Sequence, residues 1–285
     1  MDKNKLRFLL LMSVFGAMGP LVRAINLPSS AIAALRAVIS ALALLGYILL
    51  TKSKYHFAEN RKILVPMLIS GLCMAIDWIG LFEAYKYTTI ATATVFYYTA
   101  PIIFFLVSPL MLKEKFTKRH VFCAITAFIG MIFVSGMVEN GIPSAGEIKG
   151  IVFALAGALG YSTIMLINKK RPGGDSLVRT LIQLATAAVI TMPYVLLNKG
   201  FSNYVFSWKD FILLLILGIG FTAITYIEYF GLMQKIPAKT VAMFSYADPV
   251  LAVLISVIIL GEPFSVWALL GTVLIIGSSI FSELK

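Results

Sequence analysis

Ten apolar runs, each close to the length of one bilayer crossing, dominate this chain of 285 residues. They fall at approximately Leu6–Val22, Ser30–Leu50, Ile63–Tyr85, Ile90–Leu112, His120–Val138, Ile148–Asn168, Leu177–Leu197, Asp210–Leu232, Thr240–Leu260 and Phe264–Phe281. A hydrocarbon core about 30 Å thick needs roughly 20 helical residues per crossing. Inside lipid every backbone N–H and C=O must be satisfied within the protein, so only helices and closed barrels span, and runs this long select helices. The expectation is an all-α polytopic membrane protein with ten transmembrane helices and no separate soluble domain. Lys3, Lys5 and Arg7 ahead of the first run also resemble the start of a signal peptide. Nine further runs behind it favour an uncleaved first helix.

Composition removes the competing classes. Apolar residues make up 60% and charged residues 13%, with a mean hydropathy of +0.93. A soluble fold cannot cover that much apolar surface with so few charges, and a disordered chain needs the opposite balance. The net charge of +11 is spread over short loops, which argues against a nucleic-acid face. Cys73 and Cys123 both sit in apolar runs, so no disulfide framework or zinc spacing is present.

Charge also sets the orientation. With the N-terminus inside, 18 of the 24 Lys and Arg fall on the cytoplasmic side and 5 outside, with Arg36 inside the second run. The positive-inside rule therefore puts both termini in the cytoplasm.

The chain repeats itself. A shift of 148 residues sets Thr92 on Thr240, Phe96 on Phe244, Tyr98 on Tyr246, Pro101 on Pro249, Leu106 on Leu254, Glu114 on Glu262 and Phe116 on Phe264. A weaker match at a shift of 141 sets Gly16 to Gly19 on Gly157 to Gly160. Residues 1–140 and 141–285 thus read as two units of five spans. An odd number of spans forces the second unit to enter upside down, the inverted-repeat arrangement of secondary transporters, whose site lies near the bilayer midplane.

The stretch Ile90 to Pro101, then Lys113-Glu114-Lys115-Phe116 and the helix around Gly130, resembles the signature of the EamA family of the drug/metabolite transporter superfamily. Thr240 to Pro249, Gly261 to Phe264 and Gly271 form its second-half counterpart. The resemblance covers nearly the whole chain. It implies a ten-helix inverted-repeat carrier, typically an exporter of amino acids or other small metabolites, with a central cavity.

Intramembrane charges cost about 2.5–3.5 kcal/mol each at a span centre, so they are the first site candidates. Asp77 falls roughly 4–5 Å from the midplane of its span and Asp248 roughly 3 Å, at 1.5 Å per residue. Both are candidates for substrate binding and for proton coupling; the bland alternative is a hydrogen bond to a neighbouring helix. Glu83 and Glu228 sit roughly 12–14 Å out, where water or headgroups can solvate them. Arg36 lies in an outer half-span and is long enough to snorkel. Trp78, Tyr97, Tyr98, Tyr161, Tyr226 and Phe244 are expected to add an aromatic wall for the substrate, able to stack or to hold a cation, with lipid contact or packing as the alternative; Tyr229 and Tyr246 belong to the same cluster.

Other positions read as structural or gating. Pro101 and Pro249 each remove a backbone hydrogen bond in mid-span. Gly16, Gly19, Gly157 and Gly160 permit close helix approach. Glu114 and Glu262 are expected to cap the turn into the next helix. No metalloprotease, phosphate-loop or nucleophile-elbow motif occurs, and His56 and His120 lack metal-spaced partners. No cofactor or metal is expected, and transport must then run on a gradient or be facilitative. The function expected is a secondary carrier in the plasma membrane (the inner membrane of a bacterium), exporting an amino-acid-like metabolite, as monomer or homodimer. An exporter of organic cations and an intramembrane enzyme acting on lipid are the competing readings.

Overall fold

The computed structural model describes residues 2–51, 61–141, 143–171, 173–202, 204–260 and 265–283. Among them every regular element is helical. The helices are α1 (Lys3–Gly16), α2 (Met18–Ala24), α3 (Ser29–Thr51), α4 (Arg61–Tyr87), α5 (Ile90–Tyr97), α6 (Ala100–Leu112), α7 (Lys118–Val134), α8 (Met137–Asn140), α9 (Ile148–Lys170), α10 (Ser176–Leu197), α11 (Trp208–Leu215), α12 (Thr225–Met233), α13 (Ala238–Phe244), α14 (Ala247–Leu260) and α15 (Val266–Glu283). A π-helical segment, Ile216–Ile224, joins α11 to α12. Within the described residues, nine segments are long and apolar enough to cross a membrane. The fifth expected span, α7, is a 17-residue helix that packs along α15. The outside of the bundle is apolar, as lipid requires: Leu50, Leu110, Leu197 and Ile258 are each at least 80% exposed.

Proline breaks two spans at matching places. Pro101 and Pro249 are the second and third residues of α6 and α14, after breaks at Tyr98–Thr99 and Ser245–Tyr246. A proline ring clashes with the carbonyl four residues back, which is Tyr97 in one case and Ser245 in the other. The chain relieves that clash by ending the helix and restarting it. The α1–α2 break at Ala17 is followed in the same way by Pro20, the third residue of α2.

The π segment explains a register change. Its hydroxyls follow the five-residue spacing, with Thr222 donating to the Leu217 carbonyl and Thr225 to that of Gly220, both at 2.8 Å. A π turn absorbs an extra residue. Up to its first turn, Lys62 and Gly71 correspond to Lys209 and Gly218 at a shift of 147; beyond it, Thr92 and Tyr98 correspond to Thr240 and Tyr246 at 148.

Close packing holds the centre. A Cβ added at Gly157 would lie 3.0 Å from the Asp77 carbonyl, and one at Gly160 2.7 Å from the Cys73 carbonyl. The α4–α9 contact therefore runs backbone to backbone, as expected for small residues in a bundle. Gly16 meets the Asp248 carbonyl at 2.8 Å in the same sense. Gly19 does not: it is exposed, with nothing within 4 Å of an added Cβ, so close approach is not its role. Glu114 also departs from expectation. Both its oxygens accept from the Ala238 N–H, at 3.1 and 2.9 Å, so it caps α13 in the other half rather than its own following helix. Glu262 and Phe264 lie outside the described residues.

At the end of the bundle where α1 begins, Lys5 is ion-paired to Glu283, the last residue of α15. Thr240 donates to the same carboxylate at 2.5 Å. There too, Arg179 is fully buried and donates to the carbonyls of Arg171 at 2.6 Å, Gly173 at 2.8 Å and Asn168 at 3.3 Å. Gln183, Asn168 and Ser70 complete the network, with Ser70 donating to Gln183 at 2.5 Å, and tie α4, α9 and α10 together.

Candidate functional site

A cavity of about 210 Å³ lies at mid-height between α1, α3, α4, α5, α9, α12 and α14. Asp77, Trp78, Tyr97, Tyr98, Tyr161, Tyr226 and Asp248 all line it. The helix break at Tyr98 turns Tyr97 and Tyr98 edge to face, their ring centres 5.4 Å apart. Tyr97 stacks in parallel on Tyr161 at 5.8 Å, and Tyr161 shares a hydrogen bond of 3.2 Å with Tyr229. Phe15 packs edge-on against Tyr226 and Tyr229 at 5.3 and 5.4 Å. The result is a box whose walls are aromatic and whose rims carry hydroxyls.

The two carboxylates differ in how they are held. Asp248 accepts a hydrogen bond from the Tyr98 hydroxyl at 2.7 Å. Asp77 is 4% exposed, and its Oδ1 is buried with no hydrogen-bond partner. A buried polar atom left in that state costs about 1–3 kcal/mol, more when charged. An unsatisfied oxygen facing a cavity is a place for a ligand or a proton.

Phe244 does not join them. It is 4% exposed and lines a separate hollow of about 640 Å³ between α1, α14 and α15, with Leu9, Leu10, Leu251 and Ile280. That hollow is larger, but its lining is mostly apolar: its charges sit at the Lys5–Glu283 end, and elsewhere only Ser13 and Ser279 add hydroxyls. It sits where Leu10 and Ile280, 58% and 60% exposed, face lipid. Its chemistry is that of an acyl-chain surface, so the smaller central cavity is the candidate site.

Two charges sit differently from what depth along the sequence suggests. Glu83 is buried rather than solvated by water or headgroups: Tyr194 donates to it, and Lys86 pairs with it at 2.5 Å. Glu228, by contrast, is partly exposed as its depth suggests, and is ion-paired to Arg7. Arg36 does not snorkel. Its guanidinium lies 4.2 Å over the Trp78 ring, inside the central cavity. Arg36 was thus passed over as a binding residue because depth alone allows it to reach the surface. Tyr229, a member of the expected aromatic cluster, also lines the cavity, and Phe15 and Met18 are further lining residues that depth and polarity did not single out.

Comparison with known proteins agrees with this architecture. A model of the EamA-like transporter family matches the chain twice, over residues 6–136 and 148–283. The uncharacterized transporter YxxF of Bacillus subtilis is 24% identical over 273 residues, covering 95% of this chain and 86% of that protein. An uncharacterized transporter of Clostridium kluyveri is 30% identical over 216 residues, covering 74% of this chain and 69% of that protein. A solved crystal structure superposes with a TM-score of 0.78 over 98% of this chain and 95% of that one, at 20% identity, and so has the same fold. The chain belongs to the EamA-like transporter family of the drug/metabolite transporter superfamily and is a multi-pass membrane transporter.

Proposed function

We propose that the protein is a secondary carrier that exports a small amino-acid-like metabolite by alternating access, with two inverted five-helix repeats and both termini in the cytoplasm. The observation that carries this reading is the central cavity, aromatic-walled and furnished with Asp77 and Asp248. Its volume of about 210 Å³ is below the roughly 300–1,000 Å³ of drug-sized pockets, which supports a metabolite over a bulky organic cation.

Ten spans are supported by the Lys5–Glu283 pair. A chain whose two ends meet crosses an even number of times, which counts α7 as the tenth crossing beside the nine longer segments. At 1.5 Å per residue α7 extends about 25 Å, enough for a locally thin core. The charge bias of 18 to 5 supports the cytoplasmic placement of that end, in the inner membrane of a bacterium.

Proton antiport is part of the proposal. Asp77 takes up a proton when the cavity faces one side and exchanges it for the substrate ammonium on the other. Counterflow of radiolabelled amino acids into proteoliposomes loaded with the same compound tests the reading. Trans-stimulated uptake by the intact protein is expected. No counterflow with any amino acid, alongside uptake of quaternary ammonium dyes, would turn the reading to an organic-cation exporter.

A further inference from the structure

Arg36 and Asp77 are the two charged side chains of the central cavity that keep a buried polar atom without a hydrogen-bond partner. The Arg36 guanidinium lies over the Trp78 ring, its Cζ 4.2 Å from the ring centre. Its Nε is buried and has no hydrogen-bond partner. Its Nη1 reaches only the Met18 sulfur, at 3.6 Å. Among the described residues it makes no ion pair. Asp77 presents the complementary vacancy, a buried Oδ1 with no donor. A guanidinium and a carboxylate with unsatisfied atoms in the same low-dielectric space are both costly; they attract across the cavity but make no direct ion pair.

The corresponding position in the second half shows that this is a local departure. Gly71 and Gly218 occupy matching places, and their added Cβ atoms would meet the carbonyls of Gln183 at 2.7 Å and Arg36 at 3.5 Å. Arg36 therefore stands where the other half has Gln183, 147 residues on. Gln183 is neutral, fully buried and bonded to Ser70, Asn168 and the Arg179 carbonyl. The first half alone puts a cation at this point, and leaves it without an anion.

We infer that Arg36 and Asp77 are the two poles of a zwitterion site, with Arg36 receiving the substrate's carboxylate and Asp77 its ammonium group. This rests on the carrier reading above and makes its substrate class specific. A guanidinium binds a carboxylate through two parallel N–H···O bonds, and a monocation lacking a carboxylate meets only repulsion there. Each carboxylate has a tyrosine beside it, Tyr97 for Asp77 and Tyr98 for Asp248, but only Asp77 keeps a buried oxygen without a partner, which makes it the ammonium pole. The site accordingly selects compounds carrying both charges over compounds carrying either one.

Three matched ligands test this on the purified full-length protein in nanodiscs: phenylalanine, phenethylamine and 3-phenylpropionate, with binding measured by calorimetry. A parallel set uses leucine, 3-methylbutylamine and 4-methylvalerate. The intact protein should bind the amino acid at least about tenfold tighter than the amine or the acid. Arg36→Gln should erase the preference over the amine without weakening amine binding, and Asp77→Asn should erase the preference over the acid. Arg36→Lys, which keeps the charge but loses the paired geometry, should fall between. Should Arg36→Gln not fold, the methyl ester of each amino acid against intact protein reads the same pole, and it should bind as weakly as the amine. Retention of the amino-acid preference in Arg36→Gln, or equal binding of the ester, overturns the inference while leaving an amino-acid carrier standing. Binding of none of the six compounds by the intact protein overturns the carrier reading and the inference with it.

Discussion

The Tyr246 hydroxyl donates to the backbone carbonyl of Tyr98 at 3.1 Å, and the two tyrosines are 148 residues apart, the shift that superimposes the two halves of the sequence. Equivalent residues touching one another mark the place where the halves meet. The contact is also asymmetric. Tyr98 sends its own hydroxyl to Asp248, whereas the position equivalent to Asp248 in the first half is Ala100, which offers Tyr246 no acceptor. One tyrosine has become part of the site and the other has become part of the frame.

That division is measurable. Tyr246→Phe removes one hydrogen bond from a fully buried ring and should cost about 0.5–1.5 kcal/mol of stability, read as a lowered melting temperature. Substrate affinity should be unchanged, since Tyr246 does not line the cavity. Tyr98→Phe should do the reverse, releasing Asp248 and altering affinity or rate with a smaller thermal shift. Equal effects of both variants on transport would mean that the two rings act together.

Glycine substitutions separate packing from sequence similarity. Gly160→Ala places a Cβ 2.7 Å from the Cys73 carbonyl and 3.0 Å from the Asp77 nitrogen, so α4 must shift. Overpacking of this kind costs about 1–3 kcal/mol. Gly19→Ala, at the matching place in the first half, meets nothing within 4 Å and should be neutral or stabilising by up to about 1 kcal/mol through helix propensity. A thermal melt of each in the same detergent decides it; a large loss for Gly19→Ala would contradict the packing seen here.

The sequence disclosed the helical class, the nine long spans and most of the cavity, because each is written in local chemistry. Apolar run length gives the spans, and the cost of burying a carboxylate points to Asp77 and Asp248. What it did not disclose is direction. Phe244 has the same composition and depth as its cavity-lining neighbours, yet the break at Ser245 leaves it on the lipid-side hollow. Arg36 was passed over because a long flexible side chain fits either surface or cavity, and only its seat on Trp78 decides. The π segment left one trace, the change of shift from 147 to 148, that a single register does not show.

Under the inverted-repeat proposal, equivalent residues of the two halves face opposite sides of the membrane. Lys62 and Lys209 begin α4 and α11 at matching positions, and both are exposed. On a background lacking Cys73 and Cys123, Lys62→Cys should resist an impermeant maleimide in intact cells and Lys209→Cys should react. Labelling of both from the same side would end the inverted-repeat proposal.

Proton coupling is expected to rest on Asp77 rather than Asp248. Asp77 keeps an oxygen with no partner, so a proton or an ammonium group can reach it without displacing an existing bond. Asp248 can be engaged on its Tyr98-bound oxygen only by breaking the 2.7 Å contact. The α4–α9 seam, where Gly157 and Gly160 press on the Asp77 backbone, further fixes where that carboxylate points. Asn keeps the shape and some hydrogen bonding of Asp but cannot titrate. In proteoliposomes with an imposed pH gradient, Asp77→Asn should abolish gradient-driven accumulation while leaving slow equilibrative exchange. Asp248→Asn should lower the rate but preserve the response to the gradient. A full response in Asp77→Asn with its loss in Asp248→Asn would transfer the coupling role to Asp248. A full response in both would leave a carrier whose carboxylates only bind.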